Sequence, residues 1–311
     1  MKRKIMQVAE STQLISLPRK WCLEHKLKRG DEVEVTPKGN TLLVSVQGDF
    51  EHGKADVDVS DLDRSSLLLL IRGLYKKGYD EITLRFSKAS LVHFRTKKEV
   101  NISKLIHDEV VLCPGMELIE QRSNYCVLKA LSNADPKEFD NLLRRMFFLI
   151  ADTCTDLVQA CQTNDAVLLG SIEEKHDNIT KFTNHCTRLI NKQQDNANAP
   201  FVALTVLLLE KFVDFMKNTA REVRSYRKKL SPKTSQIIAE ILGAYPLFYD
   251  LYYKFSLENI QKISQLKETT QQNILTNAKK LPKEELMILS GLNESLELFR
   301  TLTEARMALE Y

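Results

Sequence analysis

Four carboxylates in this chain fall into two pairs of identical spacing, Glu173 with Asp177 and Glu210 with Asp214. On a helix, residues four apart stack on one face, and like charges so placed repel by about 0.2–0.5 kcal/mol. Two such pairs on neighbouring helices can converge on a hard or borderline cation, as in carboxylate-bridged metal sites. Solvent-facing pairs of the same kind are common on helices, so spacing alone leaves both readings open. His176 and His185 lie close to the first pair in sequence and read as solvent-facing or capping side chains.

Other chemistry is hard to place. There is no P-loop, no Rossmann glycine run, no HExxH and no nucleophile motif, so the chain does not read as an enzyme. The six cysteines (22, 113, 126, 154, 161 and 186) show no CxxC or Cys/His ligand spacing. They are expected to be reduced and packed. The most apolar runs, 67–71 and 201–209, fall far short of the ~20 residues that span a bilayer. The amino terminus carries charge without an apolar core segment, and the expectation is a cytoplasmic protein without membrane insertion.

The charge distribution is more informative than its total. Residues 1–47 hold nine basic and five acidic groups, which accounts for the whole net charge of +4. Such an asymmetry suits an electrostatic footprint for a polyanion, although a solvated charged surface has the same composition. Within this segment, residues 4–9 and 13–17 alternate as short strands. Pro18 then opens a short helix over 18–28 that carries Trp21, Leu23 and Leu27, with Lys28-Arg29-Gly30-Asp31 as its stop. The runs EVEVTP and TLLVSV, joined across Lys38-Gly39-Asn40, read as a β-hairpin. A segment this small buries too little core to stand alone, so it is expected to dimerise.

The string STQLISLPRKWCLEHKLKRGDEVEV resembles the AbrB/MazE/SpoVT swapped-hairpin family over residues 1–47. The resemblance implies a homodimer formed by exchanged hairpins, with basic residues of the joint surface touching DNA. By that resemblance the contacts are Lys2, Arg3, Lys4, Arg19 and Lys20. Lys26, Lys28 and Arg29 suit the end of the helix, where cations offset its dipole.

Residues 48–132 read as a small α/β spacer: a polar linker over 48–60, an amphipathic helix over 61–77 ended by Gly78, and a strand over 81–86. Strand-length pieces follow at 100–106, 110–113, 117–119 and 125–131, with a basic loop at Arg95-Thr96-Lys97-Lys98. LIRGLYKKGYDEITL resembles the spacer found between the two flanking domain types in archaeal-type fusions.

From residue 133 the periodicity becomes helical, and breaks predict six helices: 136–163, 165–193, 199–230, 232–255, 257–279 and 282–310. They form two sets of three (136–230 and 232–310), the length of an internal duplication, and suggest two antiparallel three-helix bundles. The second helix places Ile172, Ile179, Phe182, Cys186 and Leu189 on its apolar face. The third helix is read with Phe201, Leu204, Leu208, Phe212 and Phe215 as its core stripe, so that Glu210 and Asp214 project away from it.

SIEEKHDNI and LLLEKFVDFMKNTAREV resemble the two carboxylate-bearing helices of the PhoU family of phosphate-uptake regulators. That resemblance implies a surface iron or zinc site held by Glu173, Asp177, Glu210 and Asp214, and a phosphate-transport ATPase or sensor kinase as partner. The second repeat departs from the pattern. Glu294 stands in place, Leu298 occupies the matching Asp position, and Glu258 and Glu268 lack the four-residue pairing. One metal site at most is expected.

The expectation taken forward is a non-enzymatic α+β multidomain protein. Its parts are a DNA-binding and dimerisation domain (1–47), a spacer (48–132) and a PhoU-like helical domain (133–311). The function expected is a DNA-binding transcriptional regulator of phosphate uptake whose PhoU-like domain senses or relays phosphate status. The alternative is an adaptor that docks a phosphate-transporter ATPase or sensor kinase without touching DNA.

Overall fold

A computed structural model describes residues 2–8, 12–38, 41–46, 53–131, 136–192 and 197–311. The chain falls into two compact units, Met1–Gly53 and Lys54–Tyr311.

In the first unit, β1 (Met6–Val8) pairs antiparallel with β2 (Thr12–Leu14), setting Met6 opposite Leu14. Helix α1 (Arg19–Glu24) follows Pro18. It ends a turn earlier than the sequence suggests. Lys26 takes a left-handed φ of 54°, Leu27 N–H donates to the Cys22 carbonyl, and Lys26 N–H donates to that of Leu23. This is a Schellman stop, which ends a helix by satisfying its last carbonyls. The second hairpin pairs β3 (Val33–Lys38) with β4 (Thr41–Val46), Val33 opposite Val46. No described residue of this unit is buried, and Ile5, Met6, Val8, Leu14, Ile15, Val35 and Leu42 are all exposed. Two-stranded hairpins without a covered face are marginal in water.

The second unit begins with a sheet. Its strands β5 (Lys54–Asp58), β6 (Glu81–Arg85), β9 (Met116–Gln121) and β10 (Tyr125–Ala130) lie in the order β5-β6-β10-β9. β5 and β6 run parallel, so α2 (Arg64–Lys77) is their crossover helix. Asp63 caps α2 by accepting from Ser65 and Ser66 N–H, and Gly78 ends it at φ 107°, where a side chain would be strained. A small hairpin, β7 (Ser90–His93) with β8 (Lys98–Asn101), turns through the basic loop and leads into α3 (Ile102–Val110).

Two expectations are corrected in this region. Residues 54–58 of the supposed linker form the edge strand β5. The apolar run over 100–113 is mostly helix: Asn101 caps it by accepting from Lys104 N–H, and Ile102, Leu105, Ile106 and Val110 are buried at helical spacing.

The remainder is helical: α4 (Phe139–Thr163), α5 (Ala166–Lys192), α6 (Ala199–Tyr226), α7 (Pro232–Leu242), α8 (Ala244–Tyr253), α9 (Leu257–Asn277), α10 (Lys283–Asn293) and α11 (Ser295–Glu310). Ser231 caps α7 by accepting from Thr234 N–H, ahead of Pro232, as the Ser-Pro pair suggests. Two expected helices are each divided. The first breaks at Gly243, where a Cβ would stand 3.1 Å from the Glu240 carbonyl and where Pro246 offers no N–H to Leu242. The second breaks at Glu294, whose carbonyl accepts a short-range bond from Glu297 N–H. One continuous hydrophobic core runs through both sets of helices. Phe212 of α6 stacks on Tyr245 of α8 with centroids 5.8 Å apart and meets Phe299 of α11 edge-on at 5.0 Å.

Cys113, Cys126, Cys154, Cys161 and Cys186 are buried and Cys22 is half-buried; all six are free thiols. Burial pushes Cys113, Cys161 and Cys186 up to about 12.

The sheet module meets the bundle along a polar stripe of α5. Arg188, only 3% exposed, donates to the carbonyls of Tyr75 (2.8 Å) and Tyr79 (2.9 Å) at the end of α2, pairs with Asp80, and lies 4.8 Å from the Tyr75 ring centroid. Asn191 donates to the Lys76 carbonyl and Asn184 to that of Leu112. His185 contacts the Tyr75 hydroxyl at 3.0 Å, while that hydroxyl donates to the Pro114 carbonyl. His185 is therefore packed in this seam rather than facing solvent, and burial lowers its pKa. Replacing Arg188 with Ala removes its bonds to the Tyr75 and Tyr79 carbonyls and to Asp80, leaving Asp80 with Lys192 and the Tyr75 carbonyl with Gly78 N–H. The expected cost is about 2–4 kcal/mol, read as a lower urea midpoint. Arg188→Lys should recover only part of it, because one ammonium cannot reproduce the fork.

Candidate functional site

Helices α5 and α6 pack side by side and carry all four expected ligands. Asp165 starts α5 by accepting from Val167 and Leu168 N–H at 2.9 and 3.0 Å, and Pro200 sits in the first turn of α6. Ile172, Ile179, Cys186 and Leu189 hold α5 in the core as expected, with Phe182 partly buried against it.

The stripe of α6 is rotated from its expected place. Val206, Leu209, Phe212, Val213 and Met216 are buried, whereas Phe201 and Leu204 are exposed. That rotation turns Glu210 and Asp214 toward neighbouring elements instead of away from the core. Glu210 meets Lys76 of α2 at 3.6 Å, and Asp214 faces α5.

The centre of the arrangement is His176, a residue expected at the surface. It is buried, continuing the core spacing of Ile172 and Ile179. Its Nδ1 lies 3.0 Å from Asp177 Oδ1 and its Nε2 lies 3.0 Å from Asp214 Oδ1. Lys217 completes a triangle, with Nζ 2.8 Å from His176 Nε2 and 2.7 Å from Asp214 Oδ1. Lys211 adds a longer contact of 3.7 Å to Asp214. Arg221 pairs with Glu173.

The titration behaviour follows these contacts. Burial works against charge on the His176 ring, but hydrogen bonds to Asp177 and Asp214 outweigh it and raise its pKa. Burial likewise opposes the Asp214 carboxylate, and the bonds from His176 and Lys217 overturn that effect and hold it well below the usual range. The His176 bond lowers Asp177, and the Arg221 bond lowers Glu173.

Three of the four carboxylates thus have a lysine or arginine as partner, and the fourth, Asp177, is held by the His176 ring. Glu173 goes to Arg221, Glu210 to Lys76, Asp214 to Lys217 and His176, and Asp177 to His176. Among the described residues, no group of three His, Cys, Asp or Glu side chains converges as a metal-ligand set. This donor set, as arranged, does not fit a bound iron or zinc. The second repeat behaves alike: Glu297 pairs with Lys267 at 2.6 Å, and Glu258 with Lys262 at 2.7 Å.

In the first unit, Lys2, Arg3 and Lys4 lie in the exposed segment before β1, and Arg19 and Lys20 in the exposed first turn of α1. Lys20 is 3.8 Å from Glu24, one turn on.

Sequence reasoning missed Lys76, Lys217 and Arg221. Lys217 was accessible in principle, since it stands three residues after Asp214 on the same helix. Lys76 comes from another element altogether, and its pairing leaves no local signal.

No family model matches the chain, and no curated protein does. Among solved structures, the crystal structure of PhoU from Pseudomonas aeruginosa is similar at 17% identity with a TM-score of 0.46, covering 56% of this chain and 96% of that one. Among the described residues, no helix is long and apolar enough to cross a membrane.

The depressed Asp214 makes a signed prediction. Its contribution to stability is present above the ordinary carboxylate value of 3.8 and is lost as pH falls through the lower folded-state value. Asp214→Asn should therefore lower the urea midpoint at pH 7 while flattening the acid limb of the stability profile. A variant whose acid limb matches the parent would show that Asp214 contributes none of it.

Proposed function

We propose that this chain is a non-catalytic regulator of phosphate uptake that works by docking a protein partner, a phosphate-transporter ATPase or a sensor kinase, on its helical part. The resemblance of the α5 and α6 motifs to the PhoU family supports the phosphate connection. The observation that carries the docking reading is an apolar groove of about 710 Å³ between α4 and the α7–α8 corner. Phe148, Ala151, Val158, Leu242, Pro246 and Tyr249 line it. Phe148, at one end of the groove, remains 57% exposed. Along α4 the groove runs from Phe148 to Gln162, about 21 Å at 1.5 Å per residue. That length accommodates roughly four turns of an amphipathic helix laid with its apolar face inward.

The test is direct titration of the purified transporter ATPase against the full chain. Phe148→Asp and Val158→Asp should each weaken binding at least ten-fold with an unchanged helical spectrum. Equal affinity in parent and both variants would remove the groove from the interface.

A second reading concerns the first unit, and it rests on that unit's uncovered apolar residues beside exposed basic ones. A second copy of the chain covering Val35, Leu42 and their neighbours would form the homodimer, and the basic groups would then neutralise DNA phosphates. Each phosphate contact contributes about −0.9 to the log–log salt slope. Arg19→Ala/Lys20→Ala should weaken binding to duplex DNA and reduce that slope by about 2, leaving the mass by light scattering at that of a dimer. A monomeric parent chain, or one that ignores DNA at low salt, would leave the adaptor reading alone.

A further inference from the structure

We infer that Lys217 is a built-in cation that occupies the seat a metal ion would take between His176 and Asp214, and that it makes the α5–α6 site independent of metal. The three atoms concerned form a near-equilateral triangle. His176 Nε2 and Asp214 Oδ1 are 3.0 Å apart, and Lys217 Nζ stands 2.8 Å from the first and 2.7 Å from the second. An imidazole nitrogen and a carboxylate oxygen facing one point are the donors of a zinc-type site, in which the ion would sit about 2.0–2.2 Å from each. Here the point is filled by an ammonium at hydrogen-bond distance.

The surroundings share the same logic. A lysine ammonium is donor-only, so it is matched to a ring nitrogen that presents its lone pair. When the ring is neutral with its proton on Nδ1, that N–H donates to Asp177 and Nε2 accepts from Lys217, which bridges it to Asp214. A ring protonated on both nitrogens turns Nε2–H to Asp214 instead. Metal-bound histidines are held in the same way, by an outer carboxylate on the far ring nitrogen. Asp177 is the orienting carboxylate, and Lys217 replaces the ion. The Lys217 side chain is 14% exposed and reaches Asp214 from one turn along the same helix. The cation is tethered and always present, whereas a free ion depends on supply. The flanking carboxylates also have cationic partners, Glu173 in Arg221 at the surface and Glu210 in Lys76 at 3.6 Å.

Removing the tether should open the seat. Full-length protein, stripped with chelator, is titrated with Co²⁺ and with Zn²⁺ under identical conditions, and binding is followed by calorimetry and by the visible absorption of Co²⁺. Parent protein should take up neither ion at this site. Lys217→Ala should bind at least ten-fold more tightly than parent and acquire a Co²⁺ band, both lost in Lys217→Ala/Asp214→Ala. Lys217→Gln is the second variant: its neutral amide keeps the side-chain length, so it should gain less than Lys217→Ala while preserving the fold. Two results would overturn the inference. One is a folded Lys217→Ala or Lys217→Gln with no more affinity than parent. The other is stoichiometric metal in the parent that Asp214→Ala removes, which would show that Lys217 yields the seat to an ion. The outcome does not depend on whether the α4 groove docks a partner.

Discussion

The guanidinium of Arg188 joins the two cores of the larger unit. It leaves the bundle core on α5, caps the end of α2 through two carbonyls, and neutralises Asp80 in the turn that follows. Its bonds fall at a helix terminus, where carbonyls lack a full set of intrahelical partners: the Tyr75 carbonyl takes Arg188 beside Gly78 N–H, and the Tyr79 carbonyl takes Arg188. The end of α2 is thereby held at α5, and Lys76 beside it reaches Glu210 of α6. Arg72 on the same helix holds the buried Glu109 of α3. The arrangement of charge around the carboxylate motifs therefore depends on the register of one helix end against another.

Helix α5 serves two neighbours at once. One face is apolar and enters the bundle core, with His176 at its edge bonded to α6; beside it runs a stripe of Asn184, Arg188 and Asn191 whose partners belong to the sheet module. Such a stripe resembles an ordinary solvent face in the sequence, because polar side chains with tertiary partners and hydrated ones have the same periodicity. The i, i+4, i+7 spacing of Ile172, His176 and Ile179 is the local sign that this histidine belongs with the core residues and not with solvent.

Local chemistry made the rest legible to different degrees. Ser231-Pro232, Asp165 and Gly78 mark helix ends through backbone bonds within a few residues, and the helix boundaries at those points agree with the sequence to within two residues. The order of strands and helix in the first unit was readable for the same reason, with turn residues between alternating runs. Where the signal was degenerate, the reading slipped. Residues 201–209 are apolar nearly all round the helix, so the stripe on α6 could be drawn in more than one place. The run before Cys113 mixes β-branched residues with helical spacing, and an Asn cap decides it. The counter-cations of the carboxylate pairs were beyond reach, because Lys76 and Arg221 meet their partners only across packed helices.

The distribution of thiols has a practical side. Five of the six cysteines are sealed in the larger unit, and for those five burial disfavours the reactive thiolate. Cys22, on the short helix of the first unit, is the partly accessible one. A maleimide dye applied to native protein would therefore mark that helix selectively, without any engineered substitution. The chain thus carries a ready spectroscopic handle on its small basic unit, beside Trp21, the sequence's single tryptophan.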